Sequence, residues 1–111
     1  MKKPTKKCLS NKADKLWREK VIETYGERCT ICGKTGVNIH HIVGRANRAT
    51  RWYVPNGVPL CAGCHTFKSL SAHQHPLWFR NEMVLLRGVE WEKDLIKESN
   101  KIWNKQYEVK E

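Results

Sequence analysis

A chain of 111 residues makes one domain with a modest core, small enough for a bound metal to add materially to its stability. Lys and Arg number 21 against 11 Asp and Glu, and the resulting formal charge of +10 favours a polyanionic partner, nucleic acid above all. No stretch approaches the apolar length a helix needs to span a bilayer, and the basic opening MKKPTKKCLSNKADK lacks the apolar run of a secretory signal.

The five cysteines are Cys8, Cys29, Cys32, Cys61 and Cys64. An odd count containing two Cys-x-x-Cys pairs does not read as an extracellular disulfide framework, so the expected setting is reducing and cytoplasmic.

In chain order, residues 1–9 read as a basic arm or solvated tail. An amphipathic helix is predicted over 10–25. Ala13, Trp17, Val21 and Tyr25 recur at every fourth position, Leu16 and Ile22 widen the stripe, and Gly26 follows as a stop. CTICGKTG has the small residues of a metal-binding knuckle, and the β-branched VNIHHIV predicts a short strand.

Gly44 to Arg51 reads as a basic loop carrying Arg45, Arg48 and Arg51, with Trp52 beside it as a candidate for contact with DNA. WYV is the expected returning strand before a Pro55-Asn56-Gly57 turn. A short helix is expected from Ala62 to about Leu70, completing a β, β, α order. Pro76 opens a further helix with Phe79, Met83 and Leu86 on one face and Gly88 closing it. Trp91, Leu95, Ile102 and Trp103 suggest a last helix, so that C-terminal helices span 76–106. His73 and His75, in SAHQHP, carry no assigned role, and Trp17, Trp91 and Trp103 read as core residues.

Two Cys-x-x-Cys turns offer four thiolates, which fill a tetrahedral zinc sphere. Such a site has no open position and acts as a fastener. Cys8 is left as an ordinary free thiol. His40, His41, Asn56 and His65 then remain for another task.

The words CTICG, IHHIVGRA, NGVPLCAGCH and HTFK, over about residues 29–68, resemble the HNH endonuclease family in its zinc-fastened, four-cysteine form. The resemblance implies an α+β chain with a ββα-metal, treble-clef-like core over 29–70, flanked by the N- and C-terminal helices as a single nuclease domain. It implies a DNA endonuclease that hydrolyses phosphodiester bonds, leaving a 3′-hydroxyl and a 5′-phosphate. His41 would be the general base that activates water, and Asn56 would hold the loop presenting it. His40 and His65 would hold a catalytic divalent cation, with Cys29, Cys32, Cys61 and Cys64 on structural zinc. Arg45, Arg48, Arg51 and Lys68 would face the nucleic acid, whether duplex, nicked or branched.

His40 stands where many family members have Asp. A pair of imidazoles favours Mn²⁺, Co²⁺, Ni²⁺ or Zn²⁺ over Mg²⁺. Neighbours on a strand point to opposite faces, so His40 and His41 can border one site only if the strand is bulged or ends there. Small single-domain members of this kind resemble phage-encoded nucleases, with a bacterial host cytoplasm as the expected compartment. The competing reading is a noncatalytic zinc-stabilised module that binds nucleic acid; it has no need of His-His, Asn and His in this order.

Overall fold

The computed structural model describes residues 3–111 of an α+β chain. Its elements are α1 (Lys6–Tyr25), β1 (Val37–His41), a 3-10 turn (Val54–Asn56), β2 (Gly57–Cys61), a π-helical turn (Gly63–Phe67), α2 (Pro76–Arg87) and α3 (Val89–Ser99). Of the expected basic arm, residues 1–2 lie outside the described residues. Lys6 to Leu9 belong to α1, because Thr5 caps the helix: its Oγ1 accepts from the Cys8 amide at 3.1 Å.

β1 and β2 form a two-stranded antiparallel sheet, with Val37 opposite Cys61 and His41 opposite Gly57. The returning strand is GVPLC and not WYV. Trp52 and Val54 are instead buried side chains of the segment that leads into the 3-10 turn. Pro59 obscured this strand in the sequence. In a two-stranded sheet each strand keeps one free edge, where a residue without an amide hydrogen is tolerated.

Two apolar clusters lie on either side of the hairpin. One gathers Val58, Leu60, Phe79 and Met83 with the buried cysteines, and the other gathers Ala13, Trp17, Val21, Trp52 and Val54. Each fully buried aliphatic side chain contributes about 1.5–3 kcal/mol. α1 closes on β2 only because residue 57 is glycine: a Cβ there would stand 2.5 Å from Val21 Cγ2 and 2.8 Å from Trp17 Cζ2.

α2 and α3 meet at Gly88, whose positive φ of 95° favours a residue without a side chain. Beneath this junction Arg87 lies 3.6 Å over the Tyr25 ring and donates to the carbonyls of Pro55 and Gly57 at 3.2 and 2.9 Å. Trp91 Nε1 donates to the same Pro55 oxygen at 2.8 Å, so α2 and α3 together fix the turn that carries Asn56.

The last helix stops at Ser99, short of the expected 106. Ile102 is exposed, and the chain doubles back so that Trp103, Tyr107 and Val109 pack on the Trp52 cluster. Lys110 then bonds the backbone of Trp52 and Val54, forming a bridge at Tyr53. Burying aromatic area against Trp52 outweighs continuing an exposed helix.

Candidate metal centres and functional site

Cys29, Cys32, Cys61 and Cys64 come together from the knuckle, the end of β2 and the π-helical turn, with their sulfurs within 4.8 Å of one another. Cys32 and Cys61 Sγ are 3.5 Å apart. Zn–S bonds near 2.3 Å place tetrahedral sulfurs about 3.8 Å apart, so this set fits a structural metal such as zinc. The charge pattern agrees. Burial raises the Cys29 thiol, but amides of Cys61, Cys32 and Ile31 outweigh it and bring it down to about 6. Cys64 is pushed up to about 12 by burial and by its sulfur neighbours. Four thiolates cannot all ionise in one place without a cation, and a divalent ion removes that conflict.

A second cluster contains His40, His65 and His73, again with ligand atoms within 4.8 Å. The Nε2 atoms of His65 and His73 are 3.0 Å apart, and the His40 ring stands edge-on to both at 5.0 Å between centroids. Burial, followed by the charges of His65, His73 and His41, pushes His40 down to about 3. It is therefore neutral near pH 7, the form that ligates metals.

His73 was missed by the sequence reading because nothing periodic links it to His65. The connection is a backbone fold-back: the Ala72 and His73 amides donate to the carbonyls of Cys64 and His65 at 2.9 and 3.0 Å. Buried Ser71 fixes the turn, donating from Oγ to Thr66 O and accepting from the Gln74 amide. His75 serves α2 as its cap, with Nδ1 accepting from the Trp78 amide.

The β1–β2 ladder is continuous to its last pair, so the two adjacent histidines project to opposite faces, and the strand ends at His41. His40 turns toward Phe79 and the other two histidines, while His41 stacks on Trp17 of α1 with ring centroids 4.0 Å apart and planes at 13°. Both still border a cavity of about 360 Å³, together with His65, His73 and Arg45.

His41 Nε2 lies 3.0 Å from the Arg51 carbonyl oxygen. A carbonyl only accepts, so Nε2 carries the hydrogen and Nδ1 keeps a lone pair. Burial pushes this ring down to about 4, opposed by the bond to Arg51 and the charge of Asp14. The neutral ring is able to accept a proton.

Asn56 is fully buried. Its Nδ2 donates to the carbonyls of Val43 and Thr50, both at 3.0 Å, and its Oδ1 accepts from the Val43 amide at 2.7 Å. It thereby ties the 3-10 turn to both ends of the loop that follows His41.

The basic residues separate. Arg45 is largely exposed at the histidine cavity. Arg51 is 12% exposed and engages Asp14 through Nε and Nη2 at 3.0 and 2.9 Å, which makes it part of the framework. Arg48 lies 4.8 Å over the Trp103 ring. Trp52, expected to contact DNA, is instead buried with Nε1 donating to Asp14 at 2.9 Å. Lys68 is directed at the cysteines, its Nζ 3.7 Å from Cys64 Sγ. Asp14 and Trp17 escaped the reading as site residues because their partners lie more than twenty positions away.

No membrane-length apolar helix occurs among the described residues. Compared with known proteins, the chain matches no family model, no curated protein and no solved structure.

Proposed function

We propose that the protein is a metal-dependent DNA endonuclease of the HNH type, with a ββα-metal core formed by β1, β2 and the turn that carries His65. The observation that supports this reading best is the convergence of His40, His65 and His73 beside a neutral, tautomer-fixed His41 in one cavity. A structural zinc module that only binds nucleic acid has no use for this second cluster.

The histidine nitrogens fit a divalent ion: ligands near 2.1 Å from a metal at right angles lie about 3.0 Å apart, the separation of the His65 and His73 nitrogens. When bound, that ion supplies Lewis-acid charge to the phosphate and to the departing oxygen. His41 accepts the proton of the attacking water at Nδ1, held in that tautomer by the Arg51 carbonyl. Asn56 keeps the loop after His41 in register with the turn before β2. Arg45 neutralises substrate phosphate at the cavity edge. With three imidazoles as ligands, Mn²⁺, Co²⁺, Ni²⁺ or Zn²⁺ supports turnover better than Mg²⁺.

The test is plasmid nicking by wild type and His41→Ala across these metals. Wild type should cut, and His41→Ala should lose at least about a hundredfold in rate, in line with removal of a general base, while keeping its zinc and its DNA affinity. Equal cutting by both would discard the mechanism.

A further inference from the structure

The helix α1 lies outside the stretch of chain that contains the paired cysteines and the clustered histidines, yet two of its residues, one turn apart, reach the ring of His41, Trp17 directly and Asp14 through Arg51. Trp17 is almost fully buried and is itself held by Nε1 donation to the Tyr53 carbonyl at 2.8 Å. Its ring stacks on His41, and Gly57, lacking a side chain, lets the indole sit between β2 and the imidazole. Three residues earlier on the same face, Asp14 grips the Arg51 guanidinium by two hydrogen bonds and the neighbouring Trp52 indole by a third. The main-chain oxygen of Arg51 is the group that accepts from His41 Nε2.

We infer that Trp17 and Asp14 are positioning residues for His41: Trp17 sets the plane of the imidazole, and Asp14, by fixing the Arg51–Trp52 backbone, sets its rotation within that plane and its tautomer. This rests on the reading of His41 as the general base. Neither residue touches the reacting atoms. A side chain free to rotate about χ1 and χ2 has two angles to lose before it can present one nitrogen to water, and these contacts remove both. The buried Asp14 carboxylate is otherwise an unusual feature of so basic a chain, since its closest cationic partner, Arg51, is diverted from phosphate to hold it. On this inference the diversion of Arg51 has a catalytic purpose: its carbonyl can be aimed only if its side chain is tethered.

The experiment combines ¹⁵N NMR of the His41 ring nitrogens with nicking kinetics on the full chain loaded with zinc and Mn²⁺, the NMR being done without Mn²⁺. Wild type should show the Nε2–H tautomer alone. Asp14→Asn should show a mixture of tautomers, with kcat lowered about 10- to 100-fold, the loss typical of a reacting group misplaced by an ångström or less, and with DNA Kd and zinc content unchanged. Trp17→Phe, which keeps an aromatic plane but forfeits the bond to Tyr53, should retain more of kcat than Trp17→Leu, although both lose stability. A single Nε2–H tautomer in Asp14→Asn, or equal kcat in the two Trp17 variants, would overturn the inference. Should wild type fail to cut DNA, the base assignment falls while the tautomer measurement still judges the positioning; if Asp14→Asn does not fold, the ring signals of Trp17→Phe and Trp17→Leu decide, a shared wild-type tautomer and shift counting against it.

Discussion

His65 and His73 point their Nε2 atoms at each other across 3.0 Å, although eight positions and a tight turn separate them in the chain. One of the two nitrogens must donate a proton in the metal-free protein. With a cation between them and His40, both can offer lone pairs instead, the donor ring then carrying its hydrogen on Nδ1.

His73→Ala should therefore weaken binding of the second metal by at least about tenfold, or about 1.4 kcal/mol, without loss of zinc from the cysteines. Calorimetric titration of zinc-loaded protein with Co²⁺ or Mn²⁺ measures this, alongside His40→Ala and His65→Ala. An unchanged affinity in His73→Ala would remove that residue from the ligand set.

Cys61 ends β2 opposite Val37 and is buried among the first apolar cluster. Its replacement by Ser removes one of the four thiolates that could hold zinc and leaves a hydroxyl in its place, and structural zinc sites contribute on the order of 10 kcal/mol to folding. Cys61→Ser should lose zinc and most of its cooperative thermal transition. A folded variant with a full equivalent of zinc would show that the fourth thiolate is dispensable.

Arg45 and Arg51 should part company when each is changed to Ala. Arg45→Ala removes a cation at the cavity edge, so DNA affinity should drop and the salt slope should decrease by about one, with stability nearly unchanged. Arg51→Ala leaves the buried Asp14 with the Trp52 indole and a solvent-exposed Arg45 at 3.7 Å, at a cost of about 3 kcal/mol in denaturant unfolding. The reverse assignment of effects would place the phosphate contact on Arg51.

Asn56→Ala strands the Val43 amide and carbonyl, while the Thr50 carbonyl keeps its bond from the Tyr53 amide. At roughly 1 kcal/mol or more for each of these two groups left unpaired, unfolding free energy should fall by about 2 kcal/mol. Asn56→Asp keeps an acceptor for Val43 but turns a charge on two carbonyls, and should be no better. Chemical denaturation of both variants checks this; a loss under 1 kcal/mol would mean that water satisfies the loop.

The sequence by itself determined what depends on local pattern. Two Cys-x-x-Cys pairs supply four sulfurs that could share one metal, because one turn of backbone suffices to aim both sulfurs of each pair. The stripe from Ala13 to Val21 and the Pro76 and Gly88 boundaries announce their helices in the same way. Strand β2 was hidden, since a proline in a two-stranded sheet costs little at a free edge and yet reads as a turn.

Only the tertiary structure decided which charged and aromatic groups are available. Arg45 and Arg51 are alike in sequence, but Asp14 in α1 withdraws Arg51 from solvent and leaves Arg45 at the cavity. Trp52 goes to the core because the returning C-terminal segment covers it. His73 reaches His65 through a fold-back of main-chain hydrogen bonds, and Trp17 reaches His41 through packing across Gly57. These are long-range relations. Side-chain type and spacing encode what a residue can do, whereas its partner is set by which surfaces must be buried together.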